Sequence, residues 1–167
     1  IDPFCGNAAA KADEWVPLKP GTDGLLALAM LNVLLNELGL FDAGFLRQHT
    51  NGPYLIGEDG RYRRDVVTGK PLIWDLADQQ PKVFSDPTLA EPALEGRFTV
   101  GDRKGQPSFQ LLKDHLTQFS VADAEQVTTV PAATIRRITR EFAEAASIGS
   151  TVSIDGHELP LRPAGIH

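Results

Sequence analysis

Residues 15–38 read Trp-Val-Pro-Leu-Lys-Pro-Gly-Thr-Asp-Gly-Leu-Leu-Ala-Leu-Ala-Met-Leu-Asn-Val-Leu-Leu-Asn-Glu-Leu. This is a short extended segment, a Pro20-Gly21-Thr22-Asp23 turn and a strongly apolar helix. Pro20 fixes φ, Gly21 lets another backbone or a ligand come close, and Thr22 or Asp23 can cap the first helical turn. Such a strand-to-helix turn aims several N–H groups and the positive end of a helix dipole at one spot, which suits a phosphate-bearing or hydrogen-bonding ligand. The alternative for the same residues is a plain helix cap.

Outward from this turn, residues 1–18 read as a strand end, an Ala-rich turn through Ala8 to Ala12 and a short strand around Trp15 to Leu18. The run from Asp23 to Leu38 is apolar at nearly every position, which predicts a helix buried on all sides. A shorter helix from Asp42 to His49 presents Phe41, Phe45 and Leu46 to the same core. Between Thr50 and Gly105 Gly, Pro and Asp recur, with brief strand candidates at Tyr54 to Ile56, Leu72 to Trp74 and Phe98 to Val100. This stretch is expected to be an irregular insertion that packs on other parts of a larger protein. Helical patterning returns over Pro107 to Gln118, with Phe109, Leu112, Leu116 and Phe119 on one face. Ser120 and Asp123 have capping-box spacing for a helix to about Thr128, and Pro131 suits the start of a helix striped by Ile135, Ile138 and Phe142. Thr151 to Ile154 reads as a strand, followed by an Asp155-Gly156 hairpin turn. The alternation predicts an α/β class. It predicts one domain in three parts: a strand-turn-helix part over 1–49, the insertion over 50–105, and a helical part over 106–167 ending in a strand and hairpin. Both ends read as cut, so the chain is expected to be an internal fragment.

A chain of 167 residues, 42% hydrophobic and 23% charged, has the composition of an ordinary globular domain. A net charge of −6 argues against nucleic acid as a main partner, because phosphate binding calls for clustered Lys and Arg. The dense basic run Arg61 to Arg64 is followed by Asp65 and reads as a solvated turn. The longest apolar run, Leu25 to Leu35, is interrupted by Asn32 and is far short of the roughly 20 residues that span a bilayer. A single Cys excludes an internal disulfide and a cysteine-rich metal site.

Asp23 is the sharpest chemical candidate. A carboxylate at the mouth of such a turn can accept both the ring N1–H and the exocyclic amino group of guanine, a pair that adenine does not offer. Asp2 ends the presumed first strand, where dinucleotide folds place an acidic residue for ribose or base; the alternative is an Asx turn. Cys5 has no His or basic neighbour in sequence to activate a thiolate and reads as a small buried thiol. His49, His115, His157 and His167 lack metal-ligand spacing. Asp13 and Glu14, adjacent in sequence, would point apart and do not form an acid/base dyad.

Ile1-Asp2-Pro3 and Ala12-Asp13-Glu14-Trp15-Val16 stand before the turn. His49-Thr50-Asn51-Gly52-Pro53-Tyr54-Leu55 and Val130-Pro131-Ala132-Ala133-Thr134-Ile135 follow it. In that order and spacing the chain resembles catalytic subunits of molybdenum oxidoreductases of the dimethyl sulfoxide reductase superfamily, more narrowly the thiosulfate, polysulfide and tetrathionate reductase-like members. The resemblance covers most of the chain and an internal piece of a much larger subunit. It implies a Rossmann-like dinucleotide-binding domain fragment that holds the guanosine end of one molybdopterin guanine dinucleotide. It places Gly21, Thr22 and Asp23 at that nucleotide and the segment Asp2, Pro3, Phe4, Cys5 and Gly6 at the cofactor. Many relatives carry a basic residue where this chain has Phe4, which weakens a phosphate contact there. No catalytic residue and no metal ligand is expected in this segment. The molybdenum bis(molybdopterin guanine dinucleotide) and an iron-sulfur cluster are expected in the full subunit. The expected partners are an iron-sulfur electron-transfer subunit and the remainder of the catalytic subunit, with no membrane insertion. A bacterial or archaeal periplasmic location is implied, with cytoplasm as the other choice. Two rival readings stand beside it: a stand-alone, non-enzymatic nucleotide- or protein-binding α/β module, and a small nicotinamide-dependent oxidoreductase, which lacks its Gly-x-Gly-x-x-Gly turn.

Overall fold

The apolar run after the Pro-Gly-Thr-Asp turn forms α1, Asp23–Asn32, which continues without a break into a π-helical turn, Val33–Glu37. The widened turn is closed by Leu38 N donating to Val33 O at 2.8 Å. These elements belong to a computed structural model that describes residues 1–161 and 163–165. His167 therefore lies outside the described residues. The chain divides into two compact units, residues 1–41 with 116–167, and residues 42–115. This corrects the expectation of one domain carrying an irregular insertion.

The first unit is helical. Besides α1 it holds α4, Val121–Thr128, and α5, Ala132–Ala145. Its core joins Val16 and Leu18 to Leu26, Ala29 and Val33 of α1, Val121 and Ala124 of α4, Val130, and Ile135 of α5. Burying each of the larger aliphatic side chains contributes about 1.5–3 kcal/mol. That outweighs the half-exposed ion pair of Arg136 with Glu37, bidentate at 2.8 and 3.1 Å, which fixes register more than stability. The segment around Trp15 to Leu18, expected as a strand, is extended but unpaired in any ladder, with Val16 and Leu18 alternately inward. The expectation that α1 is buried on all sides is also corrected. Leu26, Ala29, Val33 and Leu35 are buried, whereas Ala27 is exposed and Leu31 is 39% exposed.

Ser120 caps α4 as its spacing predicts. Its hydroxyl accepts from Asp123 N at 3.1 Å and donates to the Asp123 carboxylate at 2.6 Å. Ser120→Ala is expected to destabilise this unit by about 1 kcal/mol, read as a lower urea midpoint at unchanged slope. At the far end of the unit, β6, Thr151–Ile154, and β7, His157–Pro160, form an antiparallel hairpin. Asp155 and Gly156 turn it with φ of 51° and 81°, the pair of positive values that a two-residue primed turn demands.

The second unit contains the stretch expected to be irregular, and that expectation fails. α2, Ala43–His49, is capped by Asp42, whose carboxylate accepts from Phe45 N at 2.8 Å. Phe45, expected in a core, is 51% exposed. The strands β1, Leu55–Gly57, β4, Phe98–Val100, and β5, Arg103–Pro107, make an antiparallel sheet in the order β1-β5-β4. A second pair joins β2, Leu72–Asp75, to β3, Gln80–Val83. Leu55, Leu72, Ile73, Ala93, Leu94 and Phe109 are buried, and Trp74 stacks on Phe98 with ring centroids 4.8 Å apart. α3, Ser108–Leu116, buries Phe109 and Leu116, while Leu112 is 42% exposed, so its apolar stripe is narrower than its sequence implies.

Among the described residues all strand pairing is antiparallel and no β-α-β crossover occurs. No helix among them is long and apolar enough to cross a membrane.

Candidate functional site

Residues 15–19 are the platform for both turns that the sequence marks as cofactor contacts. Lys19 N donates to Thr128 O at 2.9 Å, and Glu14 pairs with Arg137 Nη2 at 2.6 Å, so the platform is tied to α4 and α5. With Glu14 so engaged, Asp13 and Glu14 form no dyad. At the outer end of the platform, Asp2 N donates to Val16 O at 3.2 Å and Trp15 Nε1 donates to Asp2 O at 2.8 Å. Asp2 Oδ1 accepts from Phe4 N at 2.8 Å, the Asx turn that the sequence offered as the alternative. Gly6 N donates to Phe4 O at 2.8 Å and closes the turn. Pro3 is exposed on this turn and Phe4 is 76% exposed. Cys5 is exposed too, which corrects its reading as a buried thiol: the closed turn throws residues 3–5 outward.

At the other end, Gly21 takes φ +78°, a left-handed conformation that closes the chain on Lys19. Thr22 N and Thr22 Oγ1 both donate to Lys19 O, at 3.3 and 2.6 Å. Thr22 occupies the N-cap position of α1, yet its hydroxyl points backward and no side chain caps the helix. The expectation that Thr22 caps α1 is therefore corrected, because Lys19 O lies nearer once Gly21 has turned the chain. Asp23 is the first helical residue and is exposed. Its carboxylate takes no part in the hydrogen bonds and ion pairs of the described residues. A bare carboxylate at an uncapped helix start is favoured by the dipole and keeps both oxygens open to a donor pair. The two turns are joined only through residues 15–19; no hydrogen bond links Asp2–Gly6 to Gly21–Asp23 among the described residues.

No family model matches the chain. Over 87% of its length it is 37% identical to a sulfite dehydrogenase subunit of Allochromatium vinosum, and 32% identical to the alpha subunit of perchlorate reductase from Dechloromonas aromatica. Over the same share it is 31% identical to the arsenate respiratory reductase molybdopterin-containing subunit of Chrysiogenes arsenatis. The chain belongs to the molybdopterin oxidoreductase catalytic subunits of the dimethyl sulfoxide reductase superfamily. It spans 16%, 20% and 13% of the lengths of these three relatives. Membership favours the oxidoreductase reading over a stand-alone binding module.

The start of α1 thus offers a free carboxylate that can accept from a two-donor edge, beside the unfilled N–H groups of a helix start. Among the described residues no group of three or more His, Cys, Asp and Glu is placed to hold a metal ion.

Sequence reasoning missed a second charged cluster. Asp75 and Lys82 are buried on adjacent strands of the second unit. Lys82 Nζ donates to Asp75 Oδ2 at 2.7 Å, to the Asp78 carboxylate, and to Thr88 O at 2.7 Å. Asp75 also accepts from Glu91 N at 2.9 Å, Ala90 N at 3.1 Å and Ala77 N at 3.1 Å. The Lys82 bond, with those three N–H groups behind it, holds the Asp75 carboxyl far below the usual carboxylate range against the opposing effect of burial. Asp75 and then Asp78 raise Lys82 in return, again against burial. Every polar atom of the Asp75 and Lys82 side chains is directed at protein, so the pair is an internal clamp, with half-exposed Asp78 at its rim. Its signal was legible: one charge in each of the short apolar runs Leu72-Ile-Trp-Asp and Lys-Val-Phe.

Proposed function

We propose that this chain holds the guanosine end of a molybdopterin guanine dinucleotide in the catalytic subunit of a molybdenum oxidoreductase. The reading rests on the exposed, unpaired carboxylate of Asp23 at the uncapped start of α1. Asp23 accepts the N1–H and amino group of guanine, and the first N–H groups of α1 face the ribose or phosphate side. Gly21 keeps the approach open, since a Cβ there would meet nothing within 4 Å yet would be strained by φ +78°. Thr22 holds the turn closed through Lys19 O, and Asp2–Gly6 flank the nucleotide with the Phe4 ring available for stacking.

The bound molybdenum cofactor supplies two-electron oxygen-atom or sulfur-compound redox chemistry. Sulfite, perchlorate and arsenate, the ions in the relatives' names, are oxyanions whose two-electron interconversions move one oxygen atom, which favours oxygen-atom chemistry. Iron-sulfur centres, one elsewhere in the full subunit with others in a partner subunit, carry the electrons. The remainder of the subunit supplies the Rossmann-like sheet against which this helical unit packs.

Titrating the nitrogen-15-labelled chain with GMP should move the amides of Gly21, Thr22, Asp23 and Gly24, while AMP at the same concentration leaves them in place. Equal shifts from both nucleotides, or none from either, would count against guanine recognition.

A further inference from the structure

The second unit carries a surface that nucleotide binding does not use. β1 and β5 set Gly57 opposite Gly105. A Cβ on Gly57 would stand 2.1 Å from Arg63 Cζ, and one on Gly105 would stand 3.3 Å from Arg63 Cγ. Two facing glycines thus make a slot in which the Arg63 side chain lies, 14% exposed. Its Nε donates to Lys104 O at 3.1 Å, and Nη1 is 3.6 Å from the Asp59 carboxylate. This anchored arginine is one wall of an open groove of about 1020 Å³, along which Arg61, Arg64 and Arg103 also stand. Arg64 is aimed by two contacts: Nη1 donates to Gly69 O at 2.8 Å, and the guanidinium lies 5.8 Å from the Tyr62 ring centroid. Arg103 is 70% exposed, and its nearest carboxylate, Asp102, is 3.8 Å away and 94% exposed. Four arginines against two aspartates make this groove cationic on a chain whose net charge is −6.

Beside the groove a tight turn holds apolar side chains in water. Asp65 Oδ1 accepts from Thr68 N at 2.7 Å and from Thr68 Oγ1 at 2.6 Å, and Asp65 N donates to Lys70 O at 2.9 Å. Held by this net, Val66 is 98% exposed and Val67 is 88% exposed. An apolar knob fixed beside arginines has the make-up of an interface centre, and its rigidity lowers the ordering cost of association.

We propose that the groove and its valine tip dock an acidic segment of a separate polypeptide. Its carboxylates pair with Arg61, Arg64 and Arg103, and one of its apolar residues covers Val66 and Val67. Guanidinium forks pair bidentately with carboxylates, and the exposed Val66 and Val67 call for an apolar side chain, which a polyphosphate backbone does not carry. The spread of the arginines along an open groove fits an extended chain better than a single small anion.

The test mixes the full-length subunit with a fluorescein-labelled decapeptide that alternates Glu with Leu, followed by fluorescence anisotropy. Saturable binding is expected, weakening at high salt and falling roughly tenfold or more in Arg61→Glu with Arg103→Glu. Val66→Ser with Val67→Ser should weaken binding several-fold at unchanged charge. The matching Lys-Leu peptide should bind the charge-reversed variant and not the parent, with an unchanged circular dichroism spectrum showing that the variant is folded. No binding to the parent, equal binding of both peptides, or binding untouched by charge reversal would overturn the proposal. So would light scattering that shows a dimer of the parent converted to monomer by the same charge reversal, because the occupant would then be a second copy.

Discussion

Asp75→Ala is expected to open the second unit while the first stays folded. The carboxylate is fully buried and answers four donors: Lys82 and the N–H groups of Ala77, Ala90 and Glu91. Removing it leaves a buried ammonium short of its main counter-charge and three N–H groups without an acceptor. Breaking a buried pair from one side costs about 3–5 kcal/mol, a large part of the total stability of a small domain. Lys82→Met should cost less, because Asp75 keeps its three backbone donors. Hydrogen exchange checks this. Amides of β2 and β3 should lose protection in Asp75→Ala, and those of α5 should keep theirs; equal loss in both would mean the units do not unfold separately.

The same clamp sets a pH window. Asp75 is lowered in the folded state, so its contribution is present above the ordinary carboxylate value of about 3.9 and fades as pH falls toward the folded value. Lys82 is raised, so its contribution is complete below about 10.4 and fades as pH climbs through its folded value. Stability of the second unit should therefore be flat between these limits, and Asp75→Ala should flatten the acid limb.

Asp23→Asn in the full-length subunit is expected to strip much of its molybdenum and guanine nucleotide. The amide replaces one acceptor by a donor facing guanine's own N–H groups. Charge-assisted bonds of this kind contribute about 1.5–3 kcal/mol each, so affinity should fall about tenfold or more. The helix itself should scarcely respond. Asp23 makes no capping bond, and losing its charge at the helix start costs only about 0.3–1 kcal/mol. Thr22→Ser keeps the hydroxyl that reaches Lys19 O and should be silent. Metal analysis and acid-released GMP give the occupancy. Full occupancy in Asp23→Asn would reduce this turn to a helix start with a favourable charge.

The helices were readable because their signals are local. Ser120 and Asp123 lie three residues apart, Asp155-Gly156 is a turn in itself, and Ile135, Ile138 and Phe142 repeat at the helical spacing, although the residues that α5 fully buries are Ile135, Thr139 and Ala143. In the second unit the two helices and the strands near Tyr54 to Ile56, Leu72 to Trp74 and Phe98 to Val100 were seen, but not the sheets they build. Its strands are three to five residues long, too short for alternation to declare itself, and β1, which ties the two hairpins together, finds its partners far off in sequence: Gly57 meets Gly105, and Tyr54 bridges Ile73. Apolar richness in α1 overstated its burial, since composition reports how much greasy surface exists and not how much is covered. At the candidate site the sequence found the turn but misjudged Thr22, because the direction of a hydroxyl depends on the closure that Gly21 produces.

The π turn at Val33–Glu37 makes the length of its helix negotiable. It winds one residue more than an α turn into the same advance, so a one-codon deletion there can be absorbed by reversion to ordinary α geometry. Leu26, Ala29 and Val33 before the turn and the residues after it would all keep their places. The contact of Glu37 with Arg136 would then survive the deletion. Related chains that lack one residue here should thus still carry both members of that ion pair.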